Sequence, residues 1–282
     1  MTPPRSVLIT GCSSGIGASA ARILRERGWR VFASARKAED VARLAAEGYE
    51  AIQLDLDDST SIQAAVDELL RYTDGTLDAL FNNGAYGLPG AVEDLSRDAL
   101  RAQFETNLFG WLELTNRLIP VMRRQGHGRI VQCSSVLGFA AFPYRGAYNA
   151  TKFALEGLTD TLRMELRGTG IQLCLIEPGP IQTRFRANAH QAFLRWIRIE
   201  GSAHEPQYRR QLERLRKEGP AAPFTLPPEA VVGKLVHALE SPRPRLRYRV
   251  TAPTIAFAYL KRILPGRWMD AVLLRASGGG RR

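Results

Sequence analysis

Between residues 6 and 180 the chain alternates short apolar runs with longer amphipathic ones, and that alternation leaves few folds open. The runs 6–10, 30–35, 50–54, 79–82, 129–134 and 172–177 have the length and apolar content of strands. Between them, 16–27, 59–72, 97–124 and 147–167 repeat apolar residues at a period near 3.6 and are predicted to be helices. Strands apolar enough to be buried on both faces, separated by helices, form a parallel sheet covered on each side. The prediction is an α/β fold built on a doubly wound parallel sheet.

The alternation stops at Pro178-Gly179-Pro180. Residues 184–227 are polar and Arg-rich, with isolated aromatics at Phe185, Phe193, Trp196, Tyr208 and Phe224, and are expected to form a mobile lid. A further helix is predicted over 229–240 and a last strand over 246–250. Two short amphipathic helices follow, over 254–264 and 267–275, ahead of a frayed Gly-Gly-Gly-Arg-Arg tail. Neither approaches the roughly 20 apolar residues that span a bilayer. The expected division is a nucleotide-binding catalytic domain over 1–250, including the lid, and a C-terminal helical extension over 251–282.

The first strand runs into Thr10-Gly11-Cys12-Ser13-Ser14-Gly15-Ile16-Gly17, where a helix begins. Glycines permit a tight turn and let backbone approach a pyrophosphate, whose charge meets free amides at the helix N-terminus. Gly11, Ser13, Ser14, Gly15, Ile16 and Gly17 are therefore cofactor-binding candidates. At the end of the second strand, where an NAD-preferring chain presents a carboxylate, stand Arg36 and Lys37. Two cations suit the extra 2′-phosphate of NADP, unless Arg36 merely caps an exposed strand end.

Tyr148 and Lys152 lie four residues apart, one turn on the predicted helix, so a phenol and an ammonium share a face. A cation fixed beside a phenol draws its pKa down from about 10 toward useful proton transfer. The chain resembles the short-chain dehydrogenase/reductase superfamily over residues 5–250. The resemblance is carried by Gly11, Gly15 and Gly17, Asp55, the turn Asn82-Asn83-Gly84-Ala85, Asn107, Ser135, Tyr148, Lys152 and Pro178-Gly179 in order. It implies a single-domain Rossmann fold and a group that includes bacterial aldehyde reductases and animal retinol and 17β-hydroxysteroid dehydrogenases. The usual Asn-Asn-Ala-Gly turn reads Asn-Asn-Gly-Ala here, which alters local geometry without abolishing binding.

Four catalytic roles follow from the resemblance. Tyr148 passes a proton to or from the substrate oxygen, Lys152 lowers its pKa and holds the nicotinamide ribose, and Ser135 positions the carbonyl. Asn107 anchors a water linking the lysine to solvent; otherwise it satisfies a local backbone group, as Ser135 would if it were only a strand-end hydroxyl. Asp55, Asn82, Pro178, Gly179 and Thr183 join the cofactor contacts, with Thr183 meeting the carboxamide. Substrate contacts are expected at Ser135, Leu137, Phe142 and Tyr148, because residues 136–144 are strongly apolar and suit a lipophilic aldehyde, ketone or alcohol. The expected activity is NADP(H)-dependent interconversion of alcohol and carbonyl. A non-catalytic NADPH-binding module is the alternative.

The net charge of +11 is confined to the end of the chain: residues 1–183 carry 19 Lys+Arg against 21 Asp+Glu, and residues 184–282 carry 20 against 7. The basic segment has no helix-turn-helix pattern or base-stacking platform, so no nucleic-acid partner is expected. Its apolar and basic helices could cover the substrate mouth, form a homo-oligomer contact or lie on an anionic membrane. No secretory h-region precedes the first strand, and Cys12, Cys133 and Cys174 lack metal-ligand spacing. A cytoplasmic protein with reduced thiols and no metal is expected, membrane-associated if those helices lie on a bilayer.

Overall fold

The computed structural model describes residues 4–216, 219 and 222–277. Seven strands, β1 (Ser6–Ile9), β2 (Arg30–Ala35), β3 (Glu50–Gln53), β4 (Ala79–Asn82), β5 (Gly128–Cys133), β6 (Ile171–Glu177) and β7 (Arg247–Arg249), form one parallel sheet in the order β3-β2-β1-β4-β5-β6-β7. All four residues of β1 and of β4 are buried, which is why these central runs carry no alternation of polar and apolar residues. Helices α1 (Gly15–Glu26), α2 (Ala38–Ala46) and α3 (Ser59–Tyr72) connect the first four strands. The chain winds outward from β1 to β3 and then returns to β4 on the other side of β1. A crevice therefore opens at the carboxyl ends of β1 and β4, the topological switch point where such sheets take ligands.

Three elements differ from the sequence prediction. Helix α2 is not among the predicted helices, since its stretch is short and carries only Leu44 as a buried residue. The single helix expected over 97–124 is instead α4 (Arg97–Phe104), a π-helical turn at Glu105–Phe109, and α5 (Gly110–Gln125). The expected polar lid holds two helices, α7 (Phe185–Trp196) and α8 (Glu205–Arg216), which follow α6 (Gly146–Glu165) and β6. Its aromatics do not wait over the pocket as a group: Phe193 and Tyr208 are fully buried in a second core with Leu88, Ala91, Ala147 and Leu215. The Tyr208 hydroxyl accepts the Ala91 amide at 3.0 Å and donates to the Asp94 carboxylate, so this cap is pinned to the body.

Helix α9 (Glu229–Glu240) packs against α1, and α10 (Ala252–Ile263) and α11 (Gly266–Ala276) end the described chain. The two C-terminal helices pack on the loop after β5. Phe257 meets Phe142 edge-on at 5.6 Å, Met269 and Leu273 bury Ala140, and Lys261 Nζ donates to Phe139 O at 2.6 Å. Among the described residues no helix is long and apolar enough to cross a membrane. The Gly-Gly-Gly-Arg-Arg tail lies outside the described residues.

Candidate active site

The crevice at the switch point deepens into a cavity of about 930 Å³. Its floor is the loop after β1, where Gly11 and Gly15 have positive φ of 73° and 61°. A Cβ on Gly11 would stand 2.7 Å from Gly84 Cα, and one on Gly17 would stand 2.2 Å from Gly11 O. The first glycine thus admits the β4 turn and the third lets α1 sit down on the loop. Ser14 caps α1 without a side-chain bond to it, and Arg43 of α2 braces the loop by donating to Ser13 O at 2.9 Å. Free first-turn amides, an uncommitted hydroxyl and a loop without Cβ atoms fit a dinucleotide diphosphate.

The turn after β4 is held by Thr10, whose hydroxyl accepts both the Asn83 and Gly84 amides at 2.8 Å. With glycine at position 84, the interchanged Gly-Ala pair leaves room against Gly11, since a Cβ there would come 3.3 Å from its nitrogen. Asn82 is not at the cavity. It is fully buried beneath the turn and donates to Thr115 Oγ1 at 3.0 Å, while Asn83 lines the cavity in its place. Asp55 also lies outside, its carboxylate accepting the Asp57 amide at 3.1 Å in a local turn. Gly17 packs behind the loop, and Arg36 and Lys37 sit at the exposed end of β2. Lys37 pairs with Glu39 at 3.3 Å, whereas Arg36 has no carboxylate partner among the described residues.

On the opposite wall the structure brings Ser135, Tyr148 and Lys152 together with Leu137 and Phe142. Pro178, Gly179 and Thr183 close the side next to the Gly-rich loop, the Thr183 methyl standing 3.0 Å from where Gly15 would place a Cβ. Ser135, two residues past the end of β5, caps a short turn and accepts the Leu137 amide at 3.1 Å. Tyr148 and Lys152 stand one turn apart on α6, with Phe185 edge-on to the tyrosine ring at 5.3 Å.

Lys152 is 1% exposed and pairs with no carboxylate among the described residues. It donates to Cys133 O at 2.8 Å and lies over the Trp111 ring at 4.1 Å, leaving two of its three donors for a ligand such as a ribose. Trp111 in turn donates to Gly84 O at 2.7 Å, joining the lysine to the β4 turn. Burial lowers the Lys152 pKa to about 8, although the Cys133 and Glu156 charges oppose this. The downward shift expected for Tyr148 is not found. Burial pushes the phenol above its usual value, with Cys133 adding to the rise and the Ser135 hydroxyl opposing it. A phenol in that state keeps its proton at neutral pH.

Asn107 lies in the π turn, fully buried and outside the cavity. Its side chain accepts the Tyr86 amide at 3.1 Å and donates to Tyr86 O at 2.8 Å. Gln103, one turn earlier, repeats the clamp with the Leu88 amide at 2.7 Å and Tyr86 O at 2.8 Å. The local-backbone role considered for Asn107 is thus filled by its side chain. Sequence reasoning missed Thr10, Gln103 and Trp111; for the last, its place one turn after Asn107 was the available signal.

Comparisons with known proteins agree with this fold. The family model for short chain dehydrogenase matches residues 5–192. The chain is 46% identical over 269 residues to the uncharacterized oxidoreductase YbbO of Escherichia coli, covering 95% of this chain and 94% of that protein. It is 30% identical over 280 residues to an NADPH-dependent 3-dehydrocapnine reductase of Ornithobacterium rhinotracheale, covering 96% of each. Among solved structures, a short chain dehydrogenase/reductase of Burkholderia phymatum in complex with NAD superposes with a TM-score of 0.78 at 25% identity, covering 93% of this chain and 95% of that one.

Proposed function

The chain belongs to the short-chain dehydrogenase/reductase family of oxidoreductases, and we propose that it reduces the carbonyl of a lipophilic aldehyde or ketone with NADPH. One observation carries this reading: Tyr148, Ser135 and Lys152 meet the Gly-rich loop in a single cavity. A bound nicotinamide supplies the hydride. Tyr148 holds a proton at Oη and gives it to the substrate oxygen, and the Ser135 hydroxyl orients that oxygen. Lys152 offers its spare donors to the ribose and fixes the cofactor against the tyrosine. The apolar wall of Leu137, Phe142 and Phe257 receives the rest of the substrate and excludes water.

The unpaired Arg36 at the end of β2 supports NADP over NAD, as does the NADPH dependence of the related 3-dehydrocapnine reductase. On α10 and α11, Ile263 is 75% and Trp268 68% exposed beside the exposed Arg262 and Arg267, which supports a peripheral contact with an anionic membrane.

The test is an NADPH-oxidation assay across aldehydes of graded chain length, retinal and steroid ketones. Turnover is expected with the longer chains, and Tyr148→Phe lowers kcat by roughly 100-fold or more while NADPH affinity stays within about twofold. Fluorescence titration should show NADPH binding at least about tenfold tighter than NADH; equal affinities would remove the NADP assignment. Tight NADPH binding without turnover of any carbonyl would instead identify a non-catalytic dinucleotide-binding module.

A further inference from the structure

The cavity is lined by five cations, Lys152, Arg145, Arg184, Arg186 and Arg214, and by no carboxylate among the described residues. Several arginines on the outer helices are neutralised within a helical turn, as Arg22 is by Glu26, Arg43 by Glu47 and Arg209 by Glu205. The arginines of the cavity have no such pairing among the described residues. Like charges gathered on one cavity repel one another until an anion enters it, although Arg184 and Arg214 are also exposed to solvent.

The cofactor accounts for part of this excess. Arg184 directly follows Thr183, which touches the Gly-rich loop, and so borders the expected diphosphate, while Arg186 donates to Gly219 O at 2.7 Å. Arg145 and Arg214 belong to other elements. Arg145 is the residue before α6, three ahead of Tyr148, and Arg214 is on α8 of the cap. Arg145 reaches the same helix, its Nη2 donating at 3.4 Å to the side-chain oxygen of Gln211, one turn before Arg214. Arg145 Nη1 donates to Tyr144 O at 3.0 Å, which orients the guanidinium and leaves donors over.

We infer that Arg145 and Arg214 form a subsite for the anionic end of an amphiphilic substrate. Its phosphate, sulfonate or carboxylate sits between the two guanidinium groups, and its chain lies on the apolar wall of Val136, Leu137, Phe142 and Phe257. The position of its reacting carbon beside Tyr148 rests on the carbonyl-reductase reading; the anion site does not. The subsite selects an acyl or alkyl chain carrying an acidic group near its carbonyl over a plain hydrocarbon aldehyde.

Calorimetric titration of the full chain with decyl phosphate, decanol and inorganic phosphate, with and without saturating NADPH, tests this without requiring turnover. Decyl phosphate should bind at least about tenfold tighter than decanol, keep that preference with NADPH bound, and exceed inorganic phosphate because the chain contributes. Arg214→Met and Arg145→Met should each reduce the decyl phosphate to decanol affinity ratio by about tenfold, and Arg145→Lys by less. If Arg145→Met disturbs folding, Arg214→Met suffices, because no hydrogen bond in the described structure depends on that side chain. Equal affinity for the two decyl ligands overturns the proposal. So does a preference that vanishes with NADPH, which places the anion in the dinucleotide site, or one that survives the double substitution. A protein that prefers decyl phosphate yet reduces no carbonyl would lose the reductase reading and keep the subsite.

Discussion

Burial governs the Tyr148 phenol: it raises the group above its usual value, Cys133 adds to the rise and the Ser135 hydroxyl opposes it. Lys152, one turn on, donates to Cys133 O and lies over the Trp111 face. The same helix face continues to Glu156, where burial raises the carboxyl to about 7 against the opposing pull of Ser134 and Arg247. The folded chain therefore holds this proton more tightly than the unfolded one. Its stabilising contribution is full below the ordinary value of 4.5 and is lost as pH rises through about 7. Glu156→Gln removes that loss: urea unfolding should show the variant gaining up to about 3 kcal/mol on the unmodified chain between pH 5 and pH 8. Parallel pH curves would sink this assignment. At this scale the Tyr148–Lys152 pair was legible because its spacing is local, and Ser135 through the family resemblance. Thr10, Gln103 and Trp111 were not, since each acts on backbone from a distant part of the chain.

Among the elements, the glycine-rich loop and the π turn show how little tolerance the site has. Gly17→Ala forces a Cβ against Gly11 O, where backbone on both sides cannot yield. It should cost about 1–3 kcal/mol in thermal or denaturant unfolding and weaken NADPH binding. Gly157, inside α6 with nothing within 4 Å of where a Cβ would stand, is the control, and Gly157→Ala should stabilise the chain by up to about 1 kcal/mol. If both substitutions behave alike, the packing account of Gly17 is wrong. The π turn at Glu105–Phe109 is hidden within a pattern of continuous helix, because one extra residue in a turn leaves the apolar periodicity almost unchanged. The cap helices are hidden for a different reason. Their composition is Arg-rich and polar, and only the burial of Phe193, Tyr208 and Leu215 against Leu88 and Ala91 gives them a face.

For the molecule as a whole, the C-terminal helices contribute Ala256 and Phe257 to the cavity wall and leave Ile263, Trp268 and the three arginines Arg262, Arg267 and Arg275 exposed. That geometry predicts flotation of the full protein with anionic liposomes and its loss in Ile263→Asp/Trp268→Asp. Equal flotation of both would end the membrane reading, and a dimeric mass in solution that the double variant abolishes would assign the face to a subunit contact instead. The sequence by itself determined the doubly wound sheet, the dinucleotide loop and the Tyr148–Lys152 pair, since all three depend on residues close together in the chain and on periodicity. Tertiary structure alone decided that Asn82 turns away from the cavity, that Tyr148 is raised rather than lowered, and that Arg145 and Arg214 line one cavity. Those outcomes depend on which distant groups exclude water or share a wall, and no local pattern encodes that.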